Sequence, residues 1–198
     1  SHGARTLLLE TQLQHGAPNY SAIGGTCVNV GCVPKKLMVF AARYPAEIKE
    51  ASGYGWQGAG PGTFDWKQFM VYKDKEISRL NAVYKDVILG KAGVEIMEGF
   101  GTLNGPNTVD VKLSNGEKHS VTAKNILVAT GGWPFRPNIP GAEHTITSNE
   151  IFYLKEQPKR IVIVGGGFIA AEFASIMDGL GSEVSLMYRG DLFLRGFD

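Results

Sequence analysis

The sequence predicts an α/β fold, and three stretches carry that prediction. Residues 160–189, "RIVIVGGGFIAAEFASIMDGLGSEVSLMYR", read strand, glycine turn, helix, turn, strand. Residues 3–10, "GARTLLLE", repeat the pattern of 181–189, "GSEVSLMYR": a glycine, polar-tolerant positions, an apolar strand and a polar end. Residues 126–132, "ILVATGG", are an apolar run entering two glycines.

The unit at 160–189 justifies itself residue by residue. Ile161 to Val164 form the unbroken apolar run of a buried parallel strand. Gly165, Gly167 and Ala170 fit G-x-G-x-x-G/A, with Gly166 between the first two. Ile169, Phe173, Ile176 and Leu180 recur at helical spacing, Gly181 ends the helix, and Val184 to Met187 enter the next strand. This is the opening βαβ of a dinucleotide fold. The first glycine permits a tight turn, the second lets the backbone approach a pyrophosphate, and Ala170 lets helix and strand pack closely. The competing reading is a plain glycine turn.

The second strand ends in Arg189, followed by Arg195. Guanidinium groups suit a 2′-phosphate, so NADP(H) is favoured over NAD(H). Two solvated surface arginines are the alternative. Residues 3–10 then look like the second strand of another nucleotide unit. Glu10 at its end becomes a candidate ribose-binding carboxylate for an unphosphorylated adenosine. Both units are expected to be incomplete.

The middle is less chemical. Lys35 to Glu50 reads as a helix that Pro45 should end or kink. Residues 52–62 are a loop by composition, and Phe64 to Leu89 have long helical patterning. From Val94 to Leu127 the pattern turns to β, with a hairpin turn at Asn115-Gly116. Ile126 to Thr130 is expected to be a strand.

Composition narrows function by exclusion. The 198 residues are 43% hydrophobic and 20% charged, with net charge +1. That balance gives no electrostatic case for nucleic acid or an anionic membrane. No apolar run nears the roughly 20 residues of a membrane helix. The chain begins without Met and stops at "RGFD", which reads as a piece of a longer protein.

"GGTCVNVGCVPKK" (24–36) holds both cysteines, Cys27 and Cys32. Zinc would need two further ligands nearby, and His2, His15, His119 and His144 are scattered, so no metal site is expected. Two buried structural thiols are a second reading. A redox disulfide is the third, favoured by the adjacent lysines. Residues five apart in a regular helix stand roughly 8–9 Å apart at Cα, beyond the ~7 Å reach of an unstrained bridge. A Cys27–Cys32 bridge therefore requires a distorted turn, which Gly31 eases.

Here the residues become recognisable. "GGTCVNVGCVPKK" resembles the redox-active motif of the pyridine-nucleotide disulfide oxidoreductases, in wording closest to their glutathione reductase branch. "ILVATGG", "IVGGGFIAAE", "MYRGDLFLRGFD" and "RLNAVY" (79–84) are similar to segments of the same family, in the same order. The resemblance implies Rossmann-like three-layer β/β/α domains: residues 1–132 for FAD, lacking the first strand and glycine loop, and 133–198 opening an NADPH domain. It implies that NADPH reduces FAD and that FAD reduces the Cys27–Cys32 disulfide. Cys32 would face the flavin, and Cys27 would attack glutathione disulfide. Lys35 and Glu172 would pair beside flavin and nicotinamide. Glu10, Thr26, Cys27, Lys35, Gly101, Thr130 and Gly131 would contact FAD. Gly165, Gly166, Gly167, Ile169, Glu172, Arg189 and Arg195 would contact NADPH, and Tyr84 would border the glutathione site.

The resemblance further implies a homodimeric parent and a cytoplasmic location, with a mitochondrial form as the alternative. The family's histidine–glutamate acid/base pair has no counterpart here, so the isolated chain is expected to be inactive. Phe168 stands where the branch generally has a nicotinamide-gating Tyr, and Val87 where an Asn is expected. Residues 11–23 make a longer connection than usual, and Pro45 falls inside the helix after the motif. Alternatives are a non-catalytic NADP(H)-binding fragment, or a relative acting on trypanothione disulfide or lipoamide.

Overall fold

The computed structural model describes residues 3–11, 22–58, 60 and 62–196. The long connection after Glu10, with His15, and His2 therefore lie mostly or wholly outside the described residues. The chain forms two compact units: residues 1–33 with 74–153, and residues 34–73 with 154–198.

The first unit is built on a four-stranded sheet in the order β1-β2-β3-β4. Strand β1 (Leu7–Glu10) pairs in parallel with the first half of β2 (Glu95–Leu103), Leu7 opposite Glu95 and Glu10 opposite Glu98. The second half of β2 turns to an antiparallel partner, β3 (Thr108–Leu113), which pairs with β4 (Lys118–Thr122). Partners change at Gly99, where a β-carbon would stand 2.7 Å from the Lys112 carbonyl oxygen. Only glycine allows that approach. The hairpin between β3 and β4 turns at Asn115-Gly116, with Gly116 at φ 91°. Helix α1 (Gly25–Val30) and the last part of α3 (Trp66–Ala82) also belong to this unit. Its buried apolar residues include Ile23, Val28, Ile77, Val111 and Phe152.

The second unit holds β5 (Arg160–Val164) and β6 (Glu183–Met187), paired in parallel, with α4 (Phe168–Gly179) packed on both. Phe173, Ile176 and Leu180 are buried as their spacing predicts, whereas Ile169, in the first turn, is exposed. Gly181 sits at φ 92° and ends the helix. Most of α2 (Cys32–Ala51) lies here. A β-carbon on Gly179 would stand 2.7 Å from the Ala42 carbonyl oxygen, so α4 and α2 meet at backbone distance.

Four sequence expectations change. The β5 run is not buried throughout: Val162 is 60% and Val164 76% exposed, because β6 is its one strand neighbour among the described residues. Helix α2 does not end at Pro45 but runs through it to Ala51. Proline removes one hydrogen bond but holds a helix-compatible φ, so the remaining turns continue. Helix α3 passes into a π-helix at Val83–Leu89. The segment Ile126–Thr130 is not a strand. It has no ladder partner among the described residues, and Leu127 is 88% exposed. An apolar run needs a neighbouring strand to become one, and none lies beside it in the sheet order. No helix among the described residues is long and apolar enough to cross a membrane.

Candidate functional site

Cys27 and Cys32 form a disulfide, with Cα atoms 4.6 Å apart. Cys27 lies in α1 and Cys32 is the first residue of α2. The distortion that five-residue spacing demands is a break between two helices. Gly31, at φ −150° and ψ −120°, makes that break. A β-carbon there would stand 2.8 Å from the Thr26 carbonyl oxygen and 3.1 Å from the Cys27 Cα. Cys27, Cys32 and Thr26 are all exposed residues.

Leading into α1, Gly24 and Gly25 take φ 100° and 63°. A β-carbon on Gly24 would fall 2.6 Å from the Val28 side chain. Two buried asparagines hold this turn. Asn29 Nδ2 donates to the carbonyls of Ala22 and Ile23 at 3.3 Å each and of Gly25 at 2.9 Å. Asn81 Nδ2 donates to Ile23 O at 2.6 Å and to Asn29 Oδ1 at 3.0 Å. Sequence reasoning passed over both. The available signal was their place inside the two recognised motifs, Asn29 between the cysteines and Asn81 within "RLNAVY".

Elsewhere in the first unit, Glu10 closes β1 and is partly buried. Burial raises its carboxyl above the ordinary range, against the opposing bond donated by the Thr11 N–H at 3.0 Å. Gly101 is pressed against Leu9 and Val109, each 3.1 Å from where a β-carbon would lie. A cavity of about 1030 Å³ opens against Thr11, Phe100, Lys112 and Lys118, and neither cysteine lines it. Thr130 is exposed, and Gly131 takes φ 72°. Tyr84, 37% exposed, lies in the π-helix beside exposed Val87 and Ile88.

In the second unit, Lys35 Nζ lies 2.5 Å from Glu172 Oε2, with the side chains 22% and 39% exposed. The same ammonium stands 5.8 Å from the centre of the Phe168 ring. Lys35 comes from α2 and Glu172 from α4. The glycine turn before α4 is tight. Gly165 has φ 151°, and a β-carbon on Gly166 would stand 2.5 Å from the Tyr188 ring. Gly167, the N-cap, has open space around it, and no side chain caps the helix. The segment after β6 folds back so that the Leu194 N–H donates to the Gly166 carbonyl at 2.7 Å. That brings exposed Arg195 into the turn's neighbourhood, with exposed Arg189 two residues beyond β6. Uncapped N–H groups of a three-turn helix, beside a glycine turn and two guanidinium groups, fit a nucleotide's phosphates.

Comparison with known proteins bears on this arrangement. The family model for pyridine nucleotide-disulphide oxidoreductases matches residues 1–198. The chain belongs to that family. Membership implies a flavin and a nicotinamide cofactor. Among curated relatives, a glutathione reductase of Nostoc sp. is 48% identical over 198 residues, covering 100% of this chain and 40% of the relative. A trypanothione reductase of Leishmania donovani is 45% identical over 207 residues, covering 100% of this chain and 42% of the relative. A solved structure, the Cu(II) complex of a mutant of the HOCl-induced flavoprotein disulfide reductase RclA from Escherichia coli, superposes with TM-score 0.80 at 26% identity. It is covered to 40% of its length by the whole of this chain. The chain thus spans about 40% of the length of these relatives.

Proposed function

We propose that this chain carries the redox-active part of an NADPH-dependent flavoprotein disulfide reductase acting on glutathione disulfide. The exposed Cys27–Cys32 bridge, built across the Gly31 break, is the observation that carries the reading. Residues 1–132 are assigned to FAD and 133–198 to the start of the NADPH domain. Glu10 accepts from an adenosine ribose, and the half-buried carboxylate beside the Thr11 cavity supports that role. Thr26, Gly101, Thr130 and Gly131 complete the FAD contacts. Gly165, Gly166, Gly167 and Ile169 bind the pyrophosphate and nicotinamide half of NADPH, and Arg189 and Arg195 hold its 2′-phosphate.

Bound FAD would supply the path by which two electrons from NADPH open the bridge. The chain's own residues do the rest. Lys35, held in place by its contact with Glu172, offers an ammonium where negative charge accumulates on reduction. Once open, the Cys27 thiolate attacks one sulfur of glutathione disulfide, forms a mixed disulfide and expels one glutathione thiolate. The Cys32 thiolate then attacks the Cys27 sulfur, closes the bridge and expels the second glutathione. Solvent protonates both leaving thiolates. A homodimeric parent supplies what turnover needs beyond these residues.

The thiol half of this cycle can be tested without cofactors. The reduced chain, freed of reductant, is mixed with glutathione disulfide, trypanothione disulfide or lipoamide in turn, and bridge closure is timed. Fastest closure with glutathione disulfide is expected. Equal rates with all three would remove the substrate assignment. Faster closure with trypanothione disulfide would move it to trypanothione disulfide, a reading for which the 45% identity to the Leishmania relative speaks.

A further inference from the structure

The asparagine pair in the first unit has a geometry that ordinary packing does not require. Both residues are buried, at 2% and 6% exposure. Asn29 uses its amide fully: the nitrogen donates to the turn's carbonyls, and the oxygen accepts from Asn81. Asn81 uses only its donor. Its Oδ1 is buried and accepts no hydrogen bond among the described residues. Leaving a buried acceptor unpaired is costly. Rotating the amide would be worse, because its oxygen would then face two other oxygens, those of Ile23 and Asn29. The orientation is therefore set by the two bonds that Asn81 donates.

Those bonds end where Cys27 is positioned. Ile23 O belongs to the turn that starts α1, and that turn depends on left-handed Gly24 and Gly25. Asn29 lies in α1 itself, one helical turn inside it and two residues from Cys27. Asn81 sits at the end of α3, 52 residues away in sequence. It thus ties a long helix to both ends of the short segment that carries one of the two sulfurs.

We propose that Asn81 is a positioning residue for the Cys27–Cys32 couple: its amide, through Ile23 and Asn29, keeps the Cys27 helix in bridge-forming position whether the thiols are joined or free. The proposal rests on reading the pair as redox-active, and its test needs neither flavin nor nicotinamide.

The relevant equilibrium is exchange with glutathione. The bridge and two glutathione thiols become two cysteine thiols and one glutathione disulfide, with two electrons and two protons passing to the cysteines. Its position reports the effective concentration of Cys32 toward Cys27, which depends on how ordered the open form is. In the closed form the covalent link already holds Cys27 near Cys32. In the open form only non-covalent ties do. Removing a positioning tie therefore frees the open form more than the closed one, and closure becomes less favourable. A residue that merely supports the fold weakens both forms alike and leaves the equilibrium where it was.

The test is to equilibrate the purified chain, Asn81→Ala and Asn81→Asp in glutathione buffers of stepped ratio, trap thiols by alkylation and read the species by mass. Asn81→Asp keeps the shape and loses the donors. Both variants are expected to lower the closure constant by about tenfold or more, as loss of orientation does in intramolecular reactions. Folded variants with an unchanged constant overturn the proposal. A bridge in the unaltered chain that stays closed in every buffer sinks the redox reading, and the proposal with it. Should neither variant fold, hydrogen exchange of the unaltered chain decides. The Gly25 amide, which donates to Ala22 O at 2.8 Å, is expected to stay protected after the bridge is opened. Loss of that protection while the sheet stays protected overturns the proposal.

Discussion

The backbone of Gly31 passes so close to Thr26 that a β-carbon on Gly31 would stand 2.8 Å from the Thr26 carbonyl oxygen. Thr26 lies one residue before Cys27 and Gly31 one residue before Cys32, so space at position 31 and closure of the bridge are one requirement. Gly31→Ala is expected to push Cys27 and Cys32 apart. In glutathione buffers its closure constant should fall by about tenfold or more, because backbone cannot yield as a side-chain end can. A variant that closes as readily as the unaltered chain would remove the steric account of the break.

Lys35 and Glu172 form a half-exposed ion pair, so their effect on stability is expected to be small, about 0.5–1 kcal/mol or less in urea unfolding. Their proposed effect on chemistry is larger. Lys35→Met in the FAD-loaded chain should slow bridge opening by NADPH by about tenfold or more, on the scale of losing one charge-stabilising group. Glu172→Gln should slow it less, because the ammonium remains. Equal, small effects of both substitutions would reduce the pair to a structural contact.

Gly166 faces the Tyr188 ring with no room for a side chain. Gly166→Ala is expected to cost about 1–3 kcal/mol in the second unit and to displace the turn that would meet a pyrophosphate. NADPH binding, followed by its fluorescence, should weaken with it. Pairing the substitution with Tyr188→Ala is expected to restore stability. Failure of that rescue would mean that the ring is not what excludes the β-carbon.

Arg189 and Arg195 should act on one cofactor only. Arg189→Ala and Arg195→Ala are each expected to weaken NADPH by about tenfold, the value of one charge-assisted contact, while NADH binding stays unchanged. Parallel loss of both nucleotides would point to a damaged turn instead of a lost phosphate contact.

Glu10 gives a prediction with two signs. Burial raises its carboxyl above the ordinary range, with the Thr11 N–H opposing. A carboxyl raised in the folded state binds its proton more tightly there than in the unfolded chain. Its contribution to stability is therefore full below the ordinary carboxylate pKa and is lost as pH rises through the raised value. Glu10→Gln should remove that loss and raise Tm at neutral pH. The same change should weaken FAD, because an amide is a poorer acceptor for ribose hydroxyls. A variant that gains stability and binds FAD as before would leave Glu10 without a ribose role.

Much of this was legible in the chain because it rests on local patterns. The strand, glycine turn, helix and strand from Arg160 to Met187 follow from periodicity and glycine placement within thirty residues of sequence. The Gly31 break follows from the reach of a disulfide. What was not legible depends on distant partners. Ile126–Thr130 reads as a strand, but strand formation needs a neighbour's hydrogen bonds, and composition cannot supply one. Pro45 reads as a residue that ends or kinks its helix, and the ending does not occur, because the loss of a single hydrogen bond does not stop a helix whose Ala42 packs against Gly179. The Asn29–Asn81 bond joins residues 52 apart, and neither residue type announces it.

On this reading Cys27 and Cys32 are opened by electrons that arrive through bound cofactors. The most direct measurement is to saturate the purified chain with FAD, add NADPH without oxygen, alkylate and count thiols by mass. Two new thiols, at Cys27 and Cys32, are expected to appear only when both FAD and NADPH are present. A bridge that stays closed while both cofactors are bound, yet opens with a small dithiol, would contradict that reading.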